Sequence, residues 1–232
     1  MKSGSGKKAP PPQRGLVVRV RSNRKRSPAS QLWLKRQLND PYVHAAQLQG
    51  WRSRAAFKLI ELDDKFKLIT KAARVVDLGA APGGWSQVAV KRGAARVVGV
   101  DLLAIDPVPG AEIIVGDFTD PDMPERLAKM LGGKANLVLS DMAPNTTGHA
   151  ATDHIRIMAL AEMALHFAIG ILEEGGSFVA KVFQGGSEKA MLTAMKQNFS
   201  LVRHAKPPAS RKESSELYVV ASGFKTATRD EA

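Results

Sequence analysis

From Ala73 onward the chain alternates short β-branched apolar runs with stretches of helical periodicity. Residues 74–78, 96–101, 112–115, 135–140 and 177–182 read as five strands, each a near-continuous apolar run. Between them, residues 85–91, 121–131 and 153–172 carry helical patterns, the last ending near Gly175 and Gly176. A further helix is predicted over 186–199, and two final strands over 201–204 and 216–221. Upstream, Ser53 is placed to cap a helix whose apolar residues Phe57, Leu59, Ile60 and Leu62 share a face. Strands without polar alternation are buried on both sides. The pattern therefore predicts an α/β domain with a seven-stranded, mostly parallel sheet and helices on both faces. Ligands of such sheets bind beyond the carboxyl ends of the strands.

Charge adds a boundary that periodicity does not. The formal net charge is +12. Residues 1–39 hold 11 Lys or Arg and no acid, leaving 23 basic and 22 acidic residues for the rest of the chain. Residues 1–30 are rich in Gly, Ser, Pro and cations and read as a disordered basic arm. The domain is expected over 31–223, with a short tail over 224–232. A one-signed arm on a nearly neutral domain suggests a polyanionic partner, nucleic acid first; a solvated solubility tail is the plain alternative. There is no cysteine, which excludes disulfides and thiolate metal sites. None of the five histidines forms a zinc-protease pair. The N-terminus lacks an apolar signal core, so a cytoplasmic location is expected. The longest apolar stretch, 157–172, is broken by Glu162 and His166 and reads as too short to span a membrane.

Candidate chemistry clusters at the predicted carboxyl edge. The first strand runs into Asp77-Leu78-Gly79-Ala80-Ala81-Pro82-Gly83-Gly84-Trp85, a glycine turn that lets main chain approach a ligand. The second strand ends in Asp101, placed to accept from the hydroxyls of a ribose, and Asp117 follows the third, placed to accept from an adenine amino group. The glycine spacing departs from the dinucleotide fingerprint, with Pro82 inside the turn, and no Walker lysine is present. An adenosyl cofactor without a pyrophosphate fits better than a nicotinamide dinucleotide. Asp141 ends the fourth strand and Lys181 lies in the fifth, both on otherwise buried strands. A structural ion pair is the competing reading, but such pairs stabilise poorly and a ligand edge favours function. Lys58, on the helix before the first strand, and Glu216, at the start of the last, would join them if that strand runs antiparallel.

These segments resemble the FtsJ-like family of ribosomal RNA 2′-O-methyltransferases. The matching stretches are Asp40-Pro41-Tyr42, the run from Arg52 to Leu59, Asp77 to Gln87, Asp101-Leu102-Leu103, Gly116-Asp117-Phe118, Ser140 to Asn145, Lys181 to Gly185, and Glu216-Leu217-Tyr218. The departures are His44, where relatives carry a basic residue, and the longer, proline-rich arm. The resemblance implies a Rossmann-like fold, S-adenosylmethionine as cofactor, and contacts to it from Gly83, Trp85, Asp101, Asp117 and Asp141. It also implies a catalytic tetrad of Lys58, Asp141, Lys181 and Glu216. The implied acceptor is a ribose hydroxyl of 23S rRNA, a uridine in the bacterial members, within the large ribosomal subunit; the enzyme is expected to be a monomer, and the short apolar stretch leaves no membrane partner expected. A ribose hydroxyl is a very weak acid. Lys181 can take its proton only as the neutral amine, which burial and a nearby cation such as Lys58 favour and Asp141 opposes. In the alternative, the four residues only align the hydroxyl and solvent takes the proton. A binding protein on a decayed enzyme fold is the reading from another class; it predicts loss of the tetrad or the glycine turn, and both are intact.

Overall fold

The computed structural model describes residues 28–144, 147–183 and 189–226. Seven strands form one sheet in the order β3-β2-β1-β4-β5-β7-β6. They are β1 (Arg74–Leu78), β2 (Arg96–Asp101), β3 (Glu112–Val115), β4 (Ala135–Ser140), β5 (Leu172–Phe183), β6 (Phe199–Ala205) and β7 (Glu216–Phe224). All neighbouring pairs are parallel except those of β7, which runs antiparallel to both β5 and β6. The helices are α1 (Pro28–Leu38), α2 (Pro41–Gln49), α3 (Ala55–Phe66), α4 (Gly84–Lys91), α5 (Met123–Leu131), α6 (Ala150–Ile171) and α7 (Lys189–Asn198).

Alternate side chains of each strand enter different cores, as the pleat requires. Val76, Val98, Val138 and Phe178 pack with α5, α6 and α7, whereas Val75, Val97, Leu137 and Val179 pack with α3 and α4. This double coverage explains the unbroken apolar strands. The strand order reverses between β1 and β4, so their carboxyl ends flank the crevice where such sheets bind ligands.

Three local expectations need correction. Ser53 does not cap α3: Arg54 is the N-cap, and the buried Ser53 hydroxyl has no hydrogen-bond partner among the described residues. The helices α1 and α2 are absent from the periodicity reading: α1 begins at Pro28, inside the stretch expected to be a disordered arm, and α2 is capped by Asp40 through the Tyr42 N–H with Pro41 in its first turn. Gly175 and Gly176 do not end α6, which stops at Ile171; Leu172 already pairs with Ala135. There Glu173 binds Arg74 and Asn136 at the amino edge of the sheet, and the glycines lie within β5, where its register against β4 shifts between Leu172 and Ser177. A Cβ on Gly176 would sit 2.9 Å from the Glu173 carbonyl oxygen. At 22 residues, α6 is also longer than expected and is apolar enough to cross a membrane. Its Ala161, Ala164, Ala168 and Ile171 are instead buried in the core.

Candidate active site

The glycine turn follows from β1 and is shaped by its neighbours. Gly79 has φ +73°, and a Cβ there would lie 2.3 Å from Met142 Cγ. The N–H groups of Gly79 and Ala80 both donate to the Val100 carbonyl, at 2.9 and 3.2 Å. Asp101 then ties the turn to the loop after β2. Its Oδ2 accepts from the Ala81 N–H and its Oδ1 from the Leu103 N–H, each at 2.8 Å. Asp77 anchors the turn from below. Its Oδ2 accepts from the Ser86 hydroxyl at 2.6 Å in the first turn of α4. Burial pushes the Asp77 carboxyl up to about 7, against the Ser86 hydrogen bonds and with help from Asp141 and Asp101.

Beyond these strand ends lies a cavity of about 770 Å³, walled in part by Gly79, Ala81, Asp101, Asp117, Asp141 and Met142. That volume is within the usual range for small-molecule sites. Asp117 accepts the Thr119 N–H and hydroxyl on Oδ1, at 2.9 and 2.7 Å, and these bonds hold its carboxyl below the ordinary range. Its Oδ2 has no partner among the described residues and remains an acceptor for a ligand. Leu102, Leu103, Phe118 and Met163 supply apolar wall. Two carboxylates at adjacent strand ends with apolar surface between them suit an adenosine-bearing group.

Gly83 and Trp85 lie outside this wall. Gly83 caps α4 with φ +100°, and a Cβ on it would meet Val108 and Arg52. Trp85 is 3% exposed; its Nε1 donates to the Ala55 carbonyl and its ring packs 5.7 Å from that of Tyr218. The Gly83 N–H already donates to the Ala80 carbonyl at 2.6 Å and its carbonyl accepts the Gln87 N–H at 2.9 Å, so Gly83 chiefly shapes the turn, and what Trp85 offers a ligand comes from its main chain in the first turn of α4, where N–H groups lack intrahelical partners.

Lys58, Asp141, Lys181 and Glu216 converge at the same edge. Because β7 is antiparallel to β5, Glu216 at its start pairs with Phe183 at the end of β5. Lys181 Nζ donates to the Asp141 carbonyl at 2.7 Å and to its Oδ1 at 3.1 Å. Lys58 Nζ donates to Glu216 Oε2 at 2.9 Å and stands 3.6 Å from Asp141 Oδ1. The lysines are only 7% and 8% exposed. Burial alone would raise the Asp141 carboxyl, but Lys181 and Lys58 hold it below the ordinary range, with a hydrogen bond from Tyr218. Asp141 thus belongs both to the cavity wall and to the charged cluster.

Two participants were given no role from the sequence: Tyr218, named only within a matching stretch, and Ser210, not named at all. Tyr218 is fully buried, donates to Asp141 Oδ1 at 2.6 Å, and presents its ring to Lys58 Nζ at 5.5 Å. Strand period would have found it, since it lies two residues from Glu216 on the same face. The Ser210 hydroxyl donates to Glu216 Oε1 at 2.7 Å, and no periodic signal marks it. Asn145, Gln184 and Gly185, from the matching motifs, lie outside the described residues.

Residues 51–224 match the model of the FtsJ-like methyltransferase family. The chain is 73% identical to the ribosomal RNA large subunit methyltransferase E of Granulibacter bethesdensis over 223 residues, covering 95% of this chain and 97% of the relative. It is 72% identical to the protein of that name from Gluconobacter oxydans over 212 residues, covering 91% and 79%. A crystal structure described as a ribosomal RNA methyltransferase from Plasmodium falciparum superposes with a TM-score of 0.68 at 32% identity, covering 75% of this chain and 98% of that one. With a glycine turn, two strand-end carboxylates and a buried charged cluster on this sheet, the chain belongs to the FtsJ-like methyltransferase family.

Proposed function

We propose that this methyltransferase transfers the methyl group of S-adenosylmethionine to a ribose 2′-hydroxyl, that of a uridine in 23S rRNA of the large ribosomal subunit, in the cytoplasm. One observation carries the reading: Asp141 joins the cofactor-sized cavity to the Lys58–Lys181–Glu216 cluster, so donor and acceptor sites share a wall. The rRNA and the subunit come from the names of the relatives. The uridine and the 2′-hydroxyl come from the family resemblance, and the basic arm supports a polyanionic substrate.

When bound, S-adenosylmethionine supplies an electrophilic methyl on a sulfonium. Asp101 would hold its ribose hydroxyls and Asp117 its adenine amino group, while the turn shaped by Gly83 and the main chain of Trp85 at the start of α4 would receive its amino-acid end. The acceptor must lose a proton as it attacks. Lys181 spends two of its tetrahedral directions on Asp141 and keeps one, which in the neutral amine is a lone pair for the hydroxyl proton. The resulting ammonium is stabilised by Asp141. Lys58, held by Glu216, supplies a second cation for the oxygen as its charge grows.

A second reading has an observation of its own. The Lys181–Asp141 contact at 3.1 Å is that of an ion pair, and an ammonium has no lone pair. On that reading the cluster aligns the hydroxyl and solvent takes the proton. The pH–rate profile under single turnover separates the two. A lysine base gives a rising limb that disappears in Lys181→Met, whereas an aligning lysine leaves the limb in place. The substrate is tested by incubating extracted 23S rRNA and isolated large subunits with S-adenosylmethionine and mapping the product by mass. One methylated uridine ribose supports the proposal, and methylation on a base refutes it.

A further inference from the structure

The loop between β6 and β7, residues 206–215, is tied down far more heavily than a surface connection requires. Arg54, Lys58 and Glu61 recur at spacings of four and three along α3 and so share one face of it. The outer two grip the loop main chain at Ala209. Glu61 Oε2 accepts the Ala209 N–H at 2.7 Å, and the Arg54 guanidinium donates to the Ala209 carbonyl at 2.5 Å. Ala209 is itself fully buried against Ala46 and Phe57. Farther along, Arg211 reaches Asp40 at 3.4 Å, and Lys206 Nζ donates to the carbonyls of Lys212 and Ser214. These contacts fix the residue next to Ala209, Ser210, which is 4% exposed. Its hydroxyl donates to Glu216 Oε1 at 2.7 Å while Lys58, between the two gripping residues on α3, donates to Oε2 at 2.9 Å.

Both oxygens of Glu216 are therefore occupied, and the arrangement decides which carboxylate Lys58 serves. Lys58 Nζ is 2.9 Å from Glu216 but 3.6 Å from Asp141 Oδ1, the atom that Lys181 and Tyr218 also use. We infer that Ser210 is a positioning residue for methyl transfer: by locking Glu216, it keeps Lys58 off Asp141 and leaves Asp141 to Lys181. Without the hydroxyl, Glu216 Oε1 loses its donor. The carboxylate is then free to turn, and Lys58 can close on Asp141 and compete with Lys181 for Oδ1. The inference rests on the proposed transfer to a ribose hydroxyl.

The test is a double-mutant cycle of Ser210→Ala and Glu216→Ala, read as the single-turnover rate of methyl transfer to large-subunit rRNA, with cofactor Kd measured by calorimetry on all four proteins. Loss of one hydrogen bond to a charged group should slow Ser210→Ala by roughly tenfold. Its Kd for S-adenosylmethionine should not change, because Ser210 lies away from the cavity wall. In the Glu216→Ala background the same substitution should cost less than about twofold, since its target is gone. A wild-type rate in Ser210→Ala, an equal loss in both backgrounds, or a loss that follows weakened cofactor binding overturns the inference. Wild-type protein that transfers no methyl to ribose overturns the functional reading and the inference with it.

Discussion

Asp77 offers a sharp test of the energetics beneath the glycine turn. The side chain is 1% exposed, and its hydrogen bonds come from Ser86. Burial raises its carboxyl from 3.8 in the free state to about 7 in the fold. The folded protein therefore holds a proton that the unfolded chain releases. Below pH 3.8 the group is protonated in both states and costs nothing. As pH rises from there through about 7, the stability that the proton supplied is lost. Above that, the carboxylate is charged in both states and the full penalty of about 4 kcal/mol applies. Asp77→Asn keeps the shape and an acceptor for the Ser86 hydroxyl but cannot titrate. Its absolute stability includes a cost of about 1–3 kcal/mol for any Ser86 donor left without a partner. The pH dependence does not share that ambiguity. Urea unfolding from pH 4 to pH 8 should show the wild type losing about 4 kcal/mol relative to Asp77→Asn across that range. Other carboxylates titrate alike in both proteins and cancel in the difference. Parallel stability curves would refute the buried-carboxylate account.

Three further outcomes follow from the cavity and the arm. Gly79→Ala forces a side chain into a left-handed conformation, at about 1–2 kcal/mol, and against Met142 on the cavity wall; calorimetry should show cofactor Kd raised about tenfold or more. Asp101→Ala removes the acceptor that ties Ala81 to Leu103 and should weaken S-adenosylmethionine binding, while the wild type should not bind NAD; equal binding of the two cofactors would contradict the adenosyl assignment. Deletion of residues 1–30 should weaken RNA binding and flatten its salt dependence with cofactor Kd unchanged, because the arm carries cations and no acids; an unchanged salt slope would remove the arm from RNA docking.

The inner parallel strands β1, β2, β4 and β5 were legible because they are covered on both faces, whereas β3 at the sheet edge is only partly covered and was read from its Ile113-Ile114 run alone. Runs such as Val75-Val76 and Leu137-Val138-Leu139 leave few alternatives to a covered strand. The antiparallel last strand was needed to bring Glu216 to the edge, and the register confirms that direction. Legibility failed where short-range signals compete. Asp40-Pro41 is a helix start, but the nine residues of α2 bury only Ala46, so no periodic stripe announces the helix. Gly175-Gly176 looks like a helix stop, yet the helix yields earlier because Leu172 enters the sheet and Glu173 binds Arg74. In the site, residues on strand ends were visible because charge on a buried strand is anomalous. Trp85 shows the opposite: its place in the glycine motif suggested a ligand contact, while its size and its Ala55 hydrogen bond put the indole in the core. Ser210 was silent because a loop serine carries no pattern, and only the long-range grip of Arg54 and Glu61 on neighbouring Ala209 sets it against Glu216.

The central question is whether the cluster around Asp141 delivers a methyl to a ribose oxygen. A methyl on the 2′-oxygen removes the nucleophile that alkali uses to cleave RNA, so the linkage survives as an alkali-resistant dinucleotide. The decisive measurement is transfer of labelled methyl from S-adenosylmethionine to large-subunit rRNA, followed by alkaline hydrolysis, for wild type and Lys181→Met. Wild type should place the label in one alkali-resistant dinucleotide. Lys181→Met, still folded and still binding cofactor, should do so about 100- to 10,000-fold more slowly. Label recovered in mononucleotides, or undiminished transfer by Lys181→Met, would contradict the account.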